Sequence, residues 1–394
     1  MTNWNNHYAT RAKRMQASEI REILKLLDQP DIISFAGGIP DPKFFPTSEI
    51  AAVCQSILTD PERSVTALQY AVSEGYLPLR EWLANNMTEM GAPCSPDNIL
   101  ITNGSQQALD FLGKLFISTG ETVMVTWPTY LGALQAFNAY EPEYVPVPNL
   151  GETYTGSAKP KFAYVTPEFQ NPTGTTLSLA ERKALLDMSD TLDLPIIEDH
   201  AYQKLRYDGE PVPSIMALAI KRAENIDNTR ILYLGTFSKS IVPALRIGWI
   251  VGAKEVIRKL VLIKQASDLH VSPFNQMIAH EIASTVMESH TAKIRAAYKE
   301  RRDAMLAALA HYMPQGVSWT KPEGGMFVWM TLPERIDGAE LLQQAIERVR
   351  VAFVPGYAFF PDRSGRNTIR LNFSLNEPPL IEEGIKRLAW LIGN

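Results

Sequence analysis

Cysteine is almost absent from this chain, because Cys54 and Cys94 are the only two among 394 residues. Two thiols in a chain of this length do not make a disulfide scaffold, and their spacing is not that of a metal site. The six histidines form no HxxxH or similar pair, so no metal site is predicted. We expect both cysteines to be reduced and structural.

Long apolar runs and an excess of basic residues are also missing. No apolar run approaches the roughly 20 residues of a membrane-spanning helix, and the first residues lack the basic and apolar segments of a signal peptide. The 38 Lys and Arg against 43 Asp and Glu give a net charge of −5, which provides no broad basic surface for nucleic acid or an anionic membrane. These absences predict a cytoplasmic protein that binds neither.

The chain does have the length for more than one domain and the composition of an ordinary globular protein. Hydrophobic residues make up 45% and charged residues 21%, which is typical of such proteins. No internal repeat or low-complexity tract is visible. A chain of 394 residues exceeds a typical single domain, so we expect a large and a small domain.

The most informative segment surrounds Lys239. Apolar runs at 231–234 and 247–251 flank it, which predicts a turn between two buried strands. Loss of hydration lowers the pKa of a lysine and frees its amine to attack a carbonyl. Nearby donors suited to a phosphate are Thr236, Ser238 and Arg246. The segment therefore predicts a site for imine chemistry and phosphate binding, and an ordinary charged surface loop is the alternative.

Three other turns place polar residues after predicted strands. Ser105 and Gln106 follow Gly104 at the start of an amphipathic helix, whose free N–H groups and positive dipole end suit a phosphate. Asn171 precedes Pro172 in an NPTG loop and is therefore held extended. Asp199 ends another apolar strand. Taken singly, each of these has an ordinary explanation as a turn or a helix cap.

Together these motifs resemble those of fold-type I pyridoxal-phosphate enzymes, the aspartate aminotransferase superfamily. The resemblance covers the chain from about residue 18 to its C-terminus. It implies an α/β fold with a mostly parallel, mixed sheet of the seven-stranded type in a large domain, 46–289. Residues 1–45 and 290–394 would form a smaller α+β domain, with an N-terminal helix that covers the substrate.

The resemblance implies pyridoxal phosphate as the cofactor and assigns a role to each residue around its ring. Lys239 would bind the cofactor covalently and act as the general acid and base. Asp199 would keep the pyridine nitrogen protonated, which makes the ring an electron sink. Asn171 and Tyr202 would contact the ring oxygen O3′, and Tyr130 would stack on the ring.

Two anion sites complete the implied active site. The cofactor phosphate would be bound by Tyr70 of the neighbouring subunit of a homodimer, together with Ser105, Gln106, Thr236, Ser238 and Arg246. The substrate α-carboxylate would lie near Gly38, Asn171 and Arg370. Arg370 falls in an alternating strand, so its guanidinium leaves one face only, and its planar fork matches a carboxylate.

The implied reaction is transamination from an L-amino acid to a 2-oxo acid such as 2-oxoglutarate. The segment around Arg21 resembles the N-terminal helix of the branch with 2-aminoadipate, kynurenine and multisubstrate aromatic aminotransferases. Arg21 would bind the distal carboxylate of glutamate or 2-aminoadipate, while aromatic or large aliphatic side chains would make apolar contacts. A solvated helix arginine is the alternative for Arg21.

Two other functions use a similar set of residues. A pyridoxal-phosphate C–S lyase catalyses β-elimination from nearly the same site. A non-enzymatic effector-binding module, as in transcription regulators, would require an added DNA-binding domain. We expect no room for one, since the resemblance begins within the first twenty or so residues.

Overall fold

The computed structural model describes residues 2–14 and 31–393. Its α-helices are α1 (Thr10–Arg14), α2 (Thr47–Thr59), α3 (Pro61–Leu68), α4 (Leu77–Glu89), α5 (Gly104–Phe116), α6 (Leu131–Asn138), α7 (Leu179–Leu192), α8 (Ile215–Ala223), α9 (Lys254–Gln265), α10 (Pro273–Thr285), α11 (Met287–Tyr312), α12 (Gly338–Gln344) and α13 (Pro378–Gly393). Its strands are β1 (Ile33–Ser34), β2 (Ile99–Asn103), β3 (Thr122–Val125), β4 (Glu143–Pro146), β5 (Ala163–Val165), β6 (Ile196–Asp199), β7 (Ile231–Thr236), β8 (Ile247–Val251), β9 (Ser318–Trp319), β10 (Phe327–Thr331), β11 (Val351–Ala352), β12 (Val354–Pro355) and β13 (Thr368–Asn372).

The largest sheet has seven strands in the order β2-β8-β7-β6-β5-β3-β4. The pairs from β7 to β4 are parallel, whereas β8 is antiparallel to both of its neighbours, β2 and β7. The predicted α/β fold with a mostly parallel mixed sheet is therefore confirmed.

Helices cover both faces of this sheet because successive side chains of each strand point to opposite faces. In β2, Ile99 and Ile101 pack into a core with α2 to α4, α7, α8 and α10, whereas Leu100 packs into a core with α5, α6 and α9. A strand buried on both faces requires a continuous apolar run, which is the pattern that predicted these strands.

A third core surrounds the smaller sheets. Strands β12, β13, β10 and β9 form a four-stranded antiparallel sheet in that order, and β1 pairs with β11 in parallel. Helices α11, α12 and α13 pack against them. Helices α10 and α11 are separate, because Val286 between them leaves helical geometry at φ −123°. Within 2–14 and 31–393, no helix is both long and apolar enough to cross a membrane.

Several polar residues meet at one edge of the seven-stranded sheet. Parallel strands end at the same edge, which brings together the residues that follow β2, β6 and β7. Because β8 runs the other way, its first residue, Ile247, lies opposite Asn103 at the end of β2. Arg246, one residue earlier, therefore lies at this edge too. Such strand ends are where α/β folds usually bind ligands.

Candidate active site

A cavity of about 980 Å³ opens at this edge of the sheet. The predicted site residues that line it are Gly38, Ser105, Gln106, Tyr130, Asn171, Asp199, Tyr202, Thr236, Ser238, Lys239, Arg246 and Arg370. Tyr70 lies elsewhere on the surface, and Arg21 falls outside the described residues. The fold thus brings residues that are more than 300 positions apart in the sequence into one cavity.

Lys239 lies in the turn that follows β7, with its amine inside the cavity. Its Nζ donates a hydrogen bond to the Gly38 carbonyl at 2.8 Å. Burial is the main cause that lowers the pKa of Lys239 to about 8, and the positive charges of Arg370 and Arg246 contribute to this shift. A sizeable fraction of the amine is therefore neutral near physiological pH, as a nucleophile or a general base requires.

The first turn of α5 forms a corner of the cavity that is suited to an anion. The side chain of its N-cap residue, Asn103, makes no capping hydrogen bond. Instead, Asn103 Nδ2 donates to Asp268 Oδ2 at 2.6 Å. Gly104 has a φ of +72°, and a Cβ at this position would collide with Arg246 Nη2. Arg246 Nη1 lies 3.5 Å from Ser238 Oγ. The corner therefore combines the uncapped N–H groups of α5 with the Ser238 hydroxyl and the Arg246 guanidinium, which is the set of donors that a phosphate site requires.

Two of the predicted phosphate ligands use their polar atoms within the protein. Thr236 Oγ1 donates to the Ile247 carbonyl at 2.9 Å and accepts from the Ser238 amide at 3.1 Å. Gln106 Nε2 donates to the Gly132 carbonyl at 2.7 Å, which connects α5 to α6. Thr236 therefore shapes the turn that presents Ser238.

Asp199 ends β6 and is only 3% exposed. Its Oδ2 accepts a hydrogen bond from the Tyr164 hydroxyl at 2.9 Å, whereas the buried Oδ1 has no hydrogen-bond partner among the described residues. Burial raises the pKa of Asp199 to about 6 although the Tyr164 hydrogen bond, the His200 charge and the nearby Ala201 backbone amide all act to lower it. A buried oxygen without a partner is suited to accept from a bound ligand.

Arg370 on β13 is buried, and its guanidinium holds several parts of the site together. Its Nη1 donates to Asn171 Oδ1 at 2.8 Å, and its Nη2 donates to the carbonyls of Ala36 and Gly37 at 3.0 and 3.1 Å. The guanidinium carbon lies 4.2 Å from the centre of the Phe327 ring. Burial lowers the pKa of Arg370 to about 10, which leaves the side chain cationic at neutral pH.

The three tyrosines predicted to contact the cofactor differ in position. Burial raises the pKa of Tyr130 to about 12 and also raises that of Tyr202, so both hydroxyls stay protonated inside the cavity. Tyr70 is 79% exposed, and its ring lies 5.7 Å from the ring of His270. Tyr70 therefore does not contribute to the cavity of its own chain.

Sequence reasoning did not single out other residues that line the cavity, among them Tyr164, Thr166, Phe327, Tyr357 and Phe360. Tyr164 belongs to the apolar strand β5, where its ring counts as a core side chain. The one feature of the sequence that could have identified Tyr164 as a site residue is its hydroxyl, since a buried tyrosine hydroxyl usually finds a hydrogen-bond partner. Which partner it finds depends on the neighbouring strand.

Known proteins resemble this chain over nearly its whole length. The family model for aminotransferase class I and II matches residues 41–388. Aromatic-amino-acid aminotransferase 1 of Thermococcus litoralis is 45% identical, over 99% of this chain and 94% of its own length.

Solved structures are also similar. Kynurenine aminotransferase of Pyrococcus horikoshii, in complex with pyridoxamine phosphate (PMP), is 44% identical with a TM-score of 0.92, covering 99% of this chain and 98% of its own. The α-aminoadipate aminotransferase of Thermus thermophilus, complexed with N-(5′-phosphopyridoxyl)-L-leucine, is 39% identical with a TM-score of 0.89, covering 100% and 98%.

The cavity fits the cofactor of these enzymes. The unpartnered Asp199 oxygen suits a protonated ring nitrogen, and the uncapped turn at Gly104 beside Arg246 suits a phosphate. The predictions of a pyridoxal-phosphate cofactor and of amino-group transfer are confirmed, so the C–S lyase and the non-enzymatic module are set aside. With its cavity residues in this arrangement and its whole length matched by transaminases, the chain belongs to the class I and II aminotransferase family.

Proposed function

We propose that Lys239 binds pyridoxal phosphate and moves the α-proton of the amino-acid substrate. The observation that carries this proposal is the buried amine of Lys239, whose pKa is lowered to about 8. When bound, the cofactor supplies an electron sink for the carbanion at the substrate α-carbon. The neutral Lys239 Nζ accepts the proton from that carbon as a general base.

Asp199, Asn171, Tyr202 and Tyr130 hold the cofactor ring in this proposal. Asp199 Oδ1 accepts from the ring nitrogen and keeps it protonated, which its missing partner supports. Asn171 and Tyr202 bind the ring oxygen O3′, and Tyr130 stacks on the ring. The protonated state of both tyrosines makes their hydroxyls hydrogen-bond donors.

The phosphate is bound at the N-terminus of α5 and the substrate carboxylate at Arg370. The proposed phosphate ligands are Ser105, Ser238, Arg246 and Tyr70 of the partner subunit, while Gln106 and Thr236 line the same site and hold it in place through the hydrogen bonds described above. The α-carboxylate pairs with Arg370, next to Gly38 and Asn171. The buried and cationic guanidinium supports this assignment, because a charge-assisted pair is strongest where water is excluded.

The proposed substrates are glutamate or 2-aminoadipate together with aromatic and large aliphatic amino acids, and the acceptor is a 2-oxo acid such as 2-oxoglutarate. This range is supported by the similar proteins described above, which are an aromatic-amino-acid aminotransferase, a kynurenine aminotransferase and an α-aminoadipate aminotransferase complexed with a leucine adduct of the cofactor. The cavity supports its apolar part, because Leu131, Leu134, Phe327, Tyr357 and Phe360 line it. Arg21 is proposed to bind the distal carboxylate of the acidic substrates.

We further propose a homodimer. Val65, Tyr70 and Val72 line one groove on the surface and are 65%, 79% and 60% exposed. Apolar side chains exposed together in this way are typical of protein interfaces. Burial of this groove by a second copy would bring Tyr70 to the phosphate site of that copy.

Two further parts of the proposal concern organisation and location. The chain divides at residues 46 and 289 into a large and a small domain, and the separate core around β9 to β13 supports that division. A cytoplasmic location is supported by Cys54 and Cys94, which are both free thiols.

Chemical trapping tests the assignment of Lys239. Borohydride reduction of the holoenzyme followed by peptide mass mapping should place the pyridoxyl group on Lys239. The Lys239→Ala variant should lose this label, and the control Lys264→Met, which removes another buried lysine, should retain it. A label on any other lysine in the native enzyme would overturn the assignment.

A half-reaction screen tests the substrates. The holoenzyme is mixed with glutamate, 2-aminoadipate, phenylalanine or leucine, and the cofactor absorbance is followed until the pyridoxamine form appears. Each of the four should produce that form, and 2-oxoglutarate should reverse the change. Conversion by only one class of amino acid would contradict the broad range.

A further inference from the structure

We propose that Tyr164 is a positioning residue, which holds one oxygen of Asp199 so that the other faces the cavity as an anion. The inference rests on the proposed contact between Asp199 and the cofactor ring nitrogen. Its basis is the hydrogen bond of 2.9 Å from the Tyr164 hydroxyl to Asp199 Oδ2.

The strand register produces this contact. Strands β5 and β6 are parallel neighbours, and Tyr164 is paired with Ile197. Asp199 lies two residues after Ile197, so its side chain leaves the same face of the sheet as that of Tyr164. One strand therefore supplies the carboxylate, and the next supplies its hydrogen-bond donor.

Packing restricts Tyr164 to this orientation. The residue is fully buried in the core beneath α5 and α6, and its ring meets the ring of Phe137 edge to face at 5.9 Å. Thr166 Oγ1 also lies near its hydroxyl, at 3.5 Å. A side chain held in this way keeps Oδ2 occupied and leaves Oδ1 for the ligand.

The charges around Asp199 give this hydrogen bond a specific effect. Burial and the charge of Asp199 raise the pKa of Tyr164 well above its ordinary value, so the hydroxyl remains protonated and acts as a donor. Burial raises the pKa of Asp199, and the hydrogen bond from Tyr164 is the largest influence that opposes this rise.

The other titratable groups near Asp199 act at longer range. They are Tyr130, His200, Tyr202 and Tyr233. Among the described side chains, Tyr164 is the donor whose hydrogen bond reaches the Asp199 carboxylate. Removal of its hydroxyl therefore destabilises the anion selectively, and the proton shared with the ring nitrogen moves toward Asp199.

Tyr164→Phe tests this in the holoenzyme loaded with cofactor that is ¹⁵N-labelled at the ring nitrogen. The wild-type resonance should be that of a pyridinium. In the variant it should move toward that of a neutral pyridine, because a hydrogen bond to a charged group changes such an equilibrium by about 10- to 150-fold. We expect kcat to fall by about tenfold with little change in KM, since the electron sink is weakened.

Tyr140→Phe is a matched control. It removes a hydrogen bond of the same length, 2.9 Å, from a tyrosine to the carboxylate of Asp110, which does not line the cavity. This variant should keep the wild-type resonance and kcat. Loss of the pyridinium signal here too would overturn the specific role of Tyr164.

The remaining outcomes separate this inference from the proposed function. A wild-type resonance in Tyr164→Phe makes Tyr164 a packing residue and overturns the inference. A pyridinium resonance in Asp199→Asn overturns the role of Asp199 itself. If Tyr164→Phe takes up no cofactor, 4-aminophenylalanine at position 164, which keeps a weaker donor of similar shape, should restore uptake and the pyridinium resonance, and a variant that restores neither overturns the inference.

Discussion

Replacement of Arg370 by lysine tests the substrate-carboxylate site while it preserves the charge. Arg370 is 2% exposed, and its terminal nitrogens already donate to Asn171 and to the carbonyls of Ala36 and Gly37. Lysine lacks the planar fork that matches a carboxylate. A hydrogen bond to a charged group contributes about 1.5–3 kcal/mol, so the loss of one lowers kcat/KM for an amino acid by about 10- to 150-fold.

The assay compares two substrates in single-turnover experiments that follow the cofactor absorbance. L-phenylalanine carries the α-carboxylate, whereas 2-phenylethylamine has the same side chain without it. Arg370→Lys should slow the reaction of phenylalanine and leave the low rate with the amine unchanged. Arg301→Lys is the control, because Arg301 is equally buried, at 2%, and pairs with Asp41 outside the cavity lining.

An equal loss with both substrates would refute the reasoning. It would show that Arg370 acts by supporting Asn171 rather than by binding the carboxylate. An Arg301→Lys variant with the same loss would attribute the effect to the general cost of disturbing a buried arginine.

Capture of pyridoxal phosphate by the cofactor-free enzyme should accelerate as the pH rises through about 8, because the lowered pKa leaves the Lys239 amine protonated below that pH and neutral above it; a stopped-flow rate that is constant across this range would contradict the assignment. Leu68→Glu places a charge among exposed apolar residues near Tyr70 and should yield monomers in light scattering, whereas the surface control Lys221→Glu should not. A wild-type protein that is an active monomer would remove the dimer. Arg21→Ala should lower kcat/KM for glutamate and 2-aminoadipate by roughly 1–3 kcal/mol and leave phenylalanine nearly unchanged; an equal loss on both would make Arg21 a scaffold residue.

The elements on either side of Lys239 could be predicted from the sequence alone. The apolar runs at 231–234 and 247–251 became β7 and β8, and the amphipathic helix predicted after Gly104 became α5. These features are local, because burial on both faces of a strand produces a continuous apolar run, and burial on one face of a helix produces a periodic apolar pattern within a few turns. Family resemblance then related the turns after the strands to one site.

Which of these elements are neighbours depends on packing between distant parts of the chain. The antiparallel insertion of β8 between β2 and β7 pairs Asn103 with Ile247 and so brings Gly104 against Arg246. The adjacency of β5 and β6 joins the Tyr164 hydroxyl to Asp199. Both contacts depend on strand order and register, which are set by packing between segments far apart in the chain and leave no trace in the local period of either strand.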